Sequence, residues 1–359
     1  MSVALLPFID AEAVQVTLNE IYQRRPVEAA PEVQFLTSAL NTTRVLESNV
    51  INENGHIKQV KVTYTPRITE AEVDSTITTD CDGGDSIGDL STTYDIDETS
   101  GAQYIMSVPI ADLNRRLESD PEYLARVTME VIDGVRRKMQ TGVASQIALL
   151  GGKFATDGGE KTSALSNANT LKTVATKFPA ATDGGKPNPE ALQEIAFSAL
   201  NSGFTGSPYV FGMGEIFRYF QLLGTMGTFS DSGLDFVKFY NSQGVNFLPS
   251  LRIHNALNGS GTNNKFIAVD AGALHLLQYN KFTNPSAKVR QDNLIMDTIV
   301  DPLTGVEMNY KFYLDPCGEK YNILVSTSYK VVGLPDDMYA GGDRLDGTNG
   351  VLEFKIANS

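Results

Sequence analysis

Three histidines, two cysteines and the acid-rich run DCDGGDSIGD (Asp80 to Asp89) are the residues with the most obvious chemical potential. His56, His254 and His275 are scattered, and none stands four residues from another. The helix-borne pair of a zinc enzyme is therefore missing. The acids of Asp80–Asp89 lack the alternating order of an EF-hand and its closing Glu, so weak cation binding is the most they suggest. GMGEIF (Gly212 to Phe217) holds a GxG, but Phe217 stands where a dinucleotide fingerprint needs its third glycine. In GGEKT (Gly158 to Thr162), Glu160 separates glycine from Lys161, and Phe154 occupies the place of the first phosphate-loop glycine. No GxSxG elbow is present. A glycosidase needs two acids that only folding brings together. This chain also has no Trp, a common stacking side chain for sugars. The expectation is a protein with no catalytic residues, no cofactor and no metal.

Composition narrows the classes further. The chain has 359 residues, 42% of them hydrophobic, which suffices for one large domain or two ordinary ones. Its net charge is −14, and the densest basic cluster is Arg136-Arg137-Lys138. A sequence-independent nucleic-acid binder needs a basic face to neutralise phosphates, and no such run exists. Cys81 and Cys317 are far apart and neither forms a CxxC pair, which points to a reducing compartment without a structural disulfide. The opening MSVALLPFIDAEAVQV reaches Asp10 before any long apolar run and does not read as a secretory leader. No apolar stretch approaches the ~18–20 residues of a membrane-spanning helix.

The elements that would position any site form an α+β pattern. Residues 1–50 give short helical patterns broken by Pro7, Pro26 and Pro31, with Val33, Leu36 and Leu40 on one face. They read as an arm laid against something else. Val60, Val62 and Tyr64 alternate with polar neighbours, and Tyr104, Met106 and Val108 alternate with Gln103, Ile105 and Ser107. Both are half-buried strands, and the natural reading joins them as one long hairpin with Asp80–Asp89 at its tip. From Glu53 to Ser100 there are eleven acids and three bases, a net of −8. A two-stranded hairpin alone is marginal in water, and this one has few apolar residues, so the segment is expected to be either a disordered surface loop or ordered by another chain.

A long helix follows, at about residues 121–150. Pro121 suits its first turn, and Gly151-Gly152 suit its end. Leu124, Val127, Val131, Val135, Met139, Val143, Ile147 and Leu150 step by three or four and make one apolar stripe. From Pro189 an α/β pattern begins. PEALQEIAFSALNSG and EIFRYFQLLG read as helices, PYVFGM and KFIAVD as strands, and FLPSLRIHNAL as a strand turning to loop. VEMNYKFYLD and KYNILVSTSYKVVGL read as long strands joined at PCGE, and VLEFKI as a last strand.

In this order of parts the chain resembles the major capsid protein of tailed bacteriophages, the Hong Kong 97-type fold. The fullest local matches are LPSLRIHNALNGSGTNNKFIAVDAGALHLLQYNKF (Leu248 to Phe282) and PYVFGMGEIFRYFQLL (Pro208 to Leu223). The first has the rhythm of strand, loop, apolar strand, then a helix-like stretch. The resemblance covers nearly the whole chain, and it is one of architecture. It implies an N-terminal arm (1–52), an extended hairpin loop (53–108) and a peripheral domain with a spine helix (109–188). An axial domain (189–296), returning peripheral strands (297–335) and a C-terminal tail (336–359) complete it. It also implies self-assembly as pentamers and hexamers into an icosahedral head around double-stranded DNA, bound without sequence specificity. Portal and scaffolding proteins are the implied partners, and the virion, assembled in the host cytoplasm, is the implied location. The hairpin would clasp a neighbouring subunit through Val60, Val62, Tyr64, Tyr104, Met106 and Val108. No leading scaffold region of about a hundred residues is visible, and no crosslinking Lys–Asn pair can be assigned. The alternatives are an encapsulin-like compartment shell, another virion protein, or an enzyme with an unrecognised site.

Overall fold

The computed structural model describes residues 11–24, 30–38, 46–51, 57–64, 90–96, 101–110, 120–151, 172–174, 196, 199, 204, 207–212, 245–259, 265–283, 286, 288–291, 294–333 and 350–356. Among them are four α-helices, α1 (Ala11–Arg24), α2 (Pro31–Thr37), α3 (Asp120–Gly151) and α4 (Leu251–Asn258). The class is α+β. Asp80–Asp89, GGEKT, EIFRYFQLLG, most of PEALQEIAFSALNSG, Cys81 and His56 lie outside the described residues.

Three sheets organise the described residues. The first is antiparallel, in the order β10 (Val289–Gln291), β11 (Leu294–Val300), β12 (Glu307–Leu314), β13 (Lys320–Gly333) and β4 (Gly101–Pro109). The far end of β13, from Ser328 to Gly333, also pairs with β9 (Leu274–Tyr279). The second sheet holds β1 (Leu46–Ile51), β2 (Ile57–Tyr64) and β3 (Leu90–Asp95), all antiparallel. The third is mixed, in the order β5 (Lys172–Val174), β14 (Val351–Ile356), β8 (Lys265–Val269), β6 (Tyr209–Gly212) and β7 (Asn246–Pro249). Its outer pairs, β5–β14 and β6–β7, are parallel.

The 32-residue α3 is the longest element, roughly 48 Å at ~1.5 Å per residue. Leu124, Val127, Val131, Val135, Met139, Val143 and Ile147 are all buried. So are Ala125, Met129, Ile132, Arg136, Gln140 and Ala144 on other faces. What remains exposed is a narrow line through Arg126, Glu130, Gly134, Arg137, Lys138, Thr141, Ser145 and Leu149. The periodicity predicts a helix with one buried stripe; the folded helix is buried on two sides. It lies against β13 and β4, and also against α1, α2, α4 and β14. One continuous core therefore joins α3 to the first and third sheets.

Two close fits set the docking of α3. A Cβ on Gly142 would stand 2.0 Å from the Tyr329 hydroxyl, so only glycine lets that buried ring cross the helix. One turn on, Gln146 Oε1 accepts a hydrogen bond from the Val331 amide at 2.6 Å. Both contacts fall on β13.

Several expectations change at this level. Val60, Val62 and Tyr64 do not pair with Tyr104, Met106 and Val108. β2 lies between β1 and β3, while β4 pairs with β13 over Gly101–Pro109 and Ser328–Lys320. Alternation marks a strand without naming its partner, and the 14-residue β13 offers β4 a longer apolar edge than β2 does. Nor is the described part of the acidic segment left for another chain to hold. Val60, Val62 and Ile96 are buried against Leu277, Tyr279 and Val332 of the same chain. Their number is small, but they cluster on one covered face.

FLPSLRIHNAL also differs. Residues 246–249 form β7, and Leu251–Asn258 is a helix whose N-terminus is capped by the Ser250 hydroxyl, accepting from the Ile253 amide at 3.0 Å. The helix-like stretch after KFIAVD is instead strand β9, which the neighbouring β13 stabilises by pairing.

Candidate functional site

Among the described residues no group of three His, Cys, Asp or Glu could hold a metal ion. His254 sits in α4, with its ring Nδ1 3.1 Å from Asn258 Nδ2. Burial lowers its pKa, favouring the neutral ring. Cys317 is exposed in the β12–β13 turn. No helix among the described residues is long and apolar enough to cross a membrane. What the described residues do show is a set of polar ties between elements and, at the β4 end of the first sheet, two exposed apolar side chains.

The main tie surrounds Arg136, which is 2% exposed. Its guanidinium donates to Asp301 Oδ1 at 2.9 Å, to Tyr22 Oη at 3.0 Å, and to Asp133 Oδ1. Tyr22 in turn donates to Asp133 at 2.7 Å, and Arg136 also lies over the Tyr22 ring, 5.6 Å from its centroid. Asp301 accepts a second bond from Thr304 Oγ1 at 2.6 Å and heads the β11–β12 turn, where Gly305 takes a φ of 71°. Burial opposes the charge on Arg136, but Asp301 and Tyr22 outweigh it and its pKa is raised. Burial, then the bond to Asp133, raises the Tyr22 pKa, so the phenol stays protonated. Three elements distant in sequence, α1, α3 and the β11–β12 turn, are thereby locked together.

Two further ties fix the amino-terminal helices. Gln15 of α1 accepts from the Val300 amide at 2.8 Å and donates to the Val300 carbonyl at 2.9 Å, so its side chain imitates a neighbouring strand. Glu32 of α2, buried to 1% exposure, accepts a hydrogen bond from the Ser250 hydroxyl at the start of α4. Val14, Leu18, Val33, Phe35 and Leu36 join the main core. The described residues of the amino-terminal segment thus pack on the core of their own chain.

Asn258 closes α4 onto β8. It donates to the Lys265 carbonyl at 3.0 Å and accepts from the Lys265 amide at 2.7 Å. Across β8 and β14, Lys265 Nζ meets Glu353 Oε1 at 3.1 Å.

Among the described residues β4 is one of the edge strands. Val108 is buried and Met106 partly so, but Tyr104 is 50% exposed and Ile105 44%. The six residues of the expected hairpin therefore part company: Val60 and Val62 are interior, and Tyr104 faces solvent.

The polar ties are not legible in the sequence. There, Arg136 stands in a basic cluster. Its place four residues after Ile132 and three before Met139 puts it on the apolar side, and that is the available signal. For Tyr22, Asp301, Gln15 and Glu32 no local signal exists.

No family model matches this sequence, and no curated protein matches it. Solved structures do show likeness. A capsid asymmetric unit of Cyanophage A-1(L) aligns over 93% of this chain and 94% of its own, at 9% identity and a TM-score of 0.48. The capsid of a native GTA particle aligns over 93% of each chain, at 9% identity and a TM-score of 0.46. An encapsulin complex from Synechococcus elongatus aligns over 82% of this chain and 81% of its own, at 11% identity and a TM-score of 0.39. At TM-scores under 0.5, such likenesses say nothing of function by themselves.

Proposed function

We propose that this chain is the major capsid protein of a tailed bacteriophage, a non-enzymatic subunit that assembles as pentamers and hexamers into an icosahedral head around double-stranded DNA. One observation carries the reading. The 32-residue α3 is buried on two sides in a core that runs into two sheets, and polar ties rather than a catalytic cluster fill its junctions. A wall subunit needs that stiffness, because many copies must meet at fixed angles.

In this proposal residues 1–52 are the arm, 53–108 the extended loop, 109–188 and 297–335 the peripheral domain, 189–296 the axial domain and 336–359 the tail. Portal and scaffolding proteins would be its partners, and DNA would be enclosed without being read. The net charge of −14 suits a wall to which packaged phosphates do not stick.

The test is expression of the chain followed by negative-stain microscopy of the fastest-sedimenting fraction. Closed particles of uniform size are expected, and a chain that stays monomeric at every concentration and salt would contradict the reading. Co-expression with portal and packaging proteins then separates a DNA-filled head from an encapsulin-like compartment, which would hold protein cargo.

A further inference from the structure

We propose that Asn258 and Gly259 form a deamidation site gated by folding, shielded while α4 is docked on β8 and converted whenever that joint is open. The inference does not rest on the shell reading above. Asn-Gly is the dipeptide in which a backbone nitrogen most easily reaches the preceding carboxamide, because glycine puts no side chain in the way. Here the fold itself demands the pair. α4 ends at Asn258, and Gly259 follows with φ 57°, a left-handed backbone that strains any side chain. Asn258 is required for its own reason, since one side chain must both donate to and accept from the Lys265 backbone.

Hydrogen bonds oppose the reaction on both sides in the folded chain. Asn258 is 8% exposed, and its carboxamide is held at both ends. Nδ2 donates to the Lys265 carbonyl and to the His254 carbonyl, each at 3.0 Å, and His254 Nδ1 stands 3.1 Å away. Oδ1 accepts from the Lys265 amide at 2.7 Å. The nucleophile is held too. The Gly259 amide donates to the Asn255 carbonyl at 2.8 Å, so the proton that must leave is bound. Attack requires the carboxamide to swing away from Lys265 and α4 to give up its last turn at the same time.

Once the joint opens, solvent base removes the Gly259 amide proton and that nitrogen bonds to Asn258 Cγ. The Cγ–Nδ2 bond breaks and ammonia leaves, which closes a cyclic imide. Water then opens the ring at either carbonyl, giving aspartate or isoaspartate. No oxidant or reductant takes part. Aspartate lacks the amide donors and sets a carboxylate against the Lys265 and His254 carbonyl oxygens, which can only accept. It also places a negative charge at the negative end of α4. Isoaspartate lengthens the main chain by one carbon as well. Neither product restores the contact of α4 with β8, so a chain that lingers unfolded is marked irreversibly.

The test incubates the full wild-type chain at neutral pH, native in one arm and in guanidinium chloride in the other, and maps the peptide Ile253 to Lys265. Conversion is read as the mass gain of an amide becoming an acid, located at residue 258 by fragmentation. The expected result is conversion roughly a hundredfold slower in the native arm, because it follows the population with the joint open. Asn54-Gly55 and Asn349-Gly350, which lie outside the described residues, calibrate the unshielded rate in the denatured arm. Equal rates at residue 258 in the two arms would overturn the shielding. No conversion there in denaturant, while Asn54 and Asn349 convert, would overturn the site. Asn258→Asp reports the product directly. A lower melting temperature than wild type, or failure to fold, is expected, and an unchanged melting temperature would overturn the damage to the joint. The two-arm comparison uses wild-type protein and decides the gating whatever the variant does.

Discussion

Strands β2 and β4 look alike in sequence and differ in the folded chain. Both place apolar residues at every second position, although in β4 Ile105 also stands on the opposite face. β2 has a strand on each side and its apolar face closed by Leu277, Tyr279 and Val332. β4 has one neighbour among the described residues, and Tyr104 and Ile105 remain half open. β2 comes from the acidic, core-poor segment, yet its own chain completes it. β4 enters the main sheet, yet its edge stays open. Self-sufficiency follows from which apolar face finds a cover, and net charge along a segment does not decide it.

The same contrast holds for neighbouring residues on α3, and breaking it there should give the largest effect. Arg136→Met leaves Asp133 and Asp301 without their buried cation and should cost about 3–5 kcal/mol. Arg137→Met, on the exposed line, should stay within about 0.5 kcal/mol. Denaturant melts of the two variants compare them directly, and equal midpoints would show that the tie does not hold the junction.

Next comes Val62→Asp, which places a charge at a fully buried position of β2 and should destabilise the subunit by about 3 kcal/mol. Thermal melts would report it, and an unchanged melting temperature would mean that β2 is not closed by its own chain. Gly101→Ala should cost about 2 kcal/mol, because its Cβ would stand 2.5 Å from the Thr327 carbonyl and push β4 off β13. Loss of amide protection confined to β4 and the facing part of β13 is the expected signature.

The smallest effect concerns pH. Burial lowers the His254 pKa in the folded state, so the unfolded chain takes up its proton first as pH falls. This contribution is fully present above the ordinary histidine value of about 6.5 and declines below it. Between pH 7.5 and 5.5 the wild type should lose slightly more melting temperature than His254→Gln. A variant with the larger loss would reverse the sign and refute the assignment.

Parts of this fold are legible in the sequence because their signals are local. The long helix shows in its stepping apolar residues and its glycine end. VEMNYKFYLD and KYNILVSTSYKVVGL show in their alternation, and the turn at Cys317 and Gly318 joins them. What fails to show depends on distance along the chain. The pairing of β4 with β13 joins residues more than two hundred positions apart. Arg136 meets Asp301 only after the sheet forms, so in sequence it looks like surface charge. Leu251–Asn258 reads as a loop because Ser250, its cap, follows Pro249 at a strand end. β9 reads as helix-like, and its pairing with β13 outweighs that local propensity.

Hydrogen exchange on free and assembled protein tests the central contrast most directly. The account predicts that β2 amides are protected equally in both states. The outward amides of β4 should exchange quickly in the free subunit. Slow exchange of those amides, or protection of β2 gained on assembly, would contradict it.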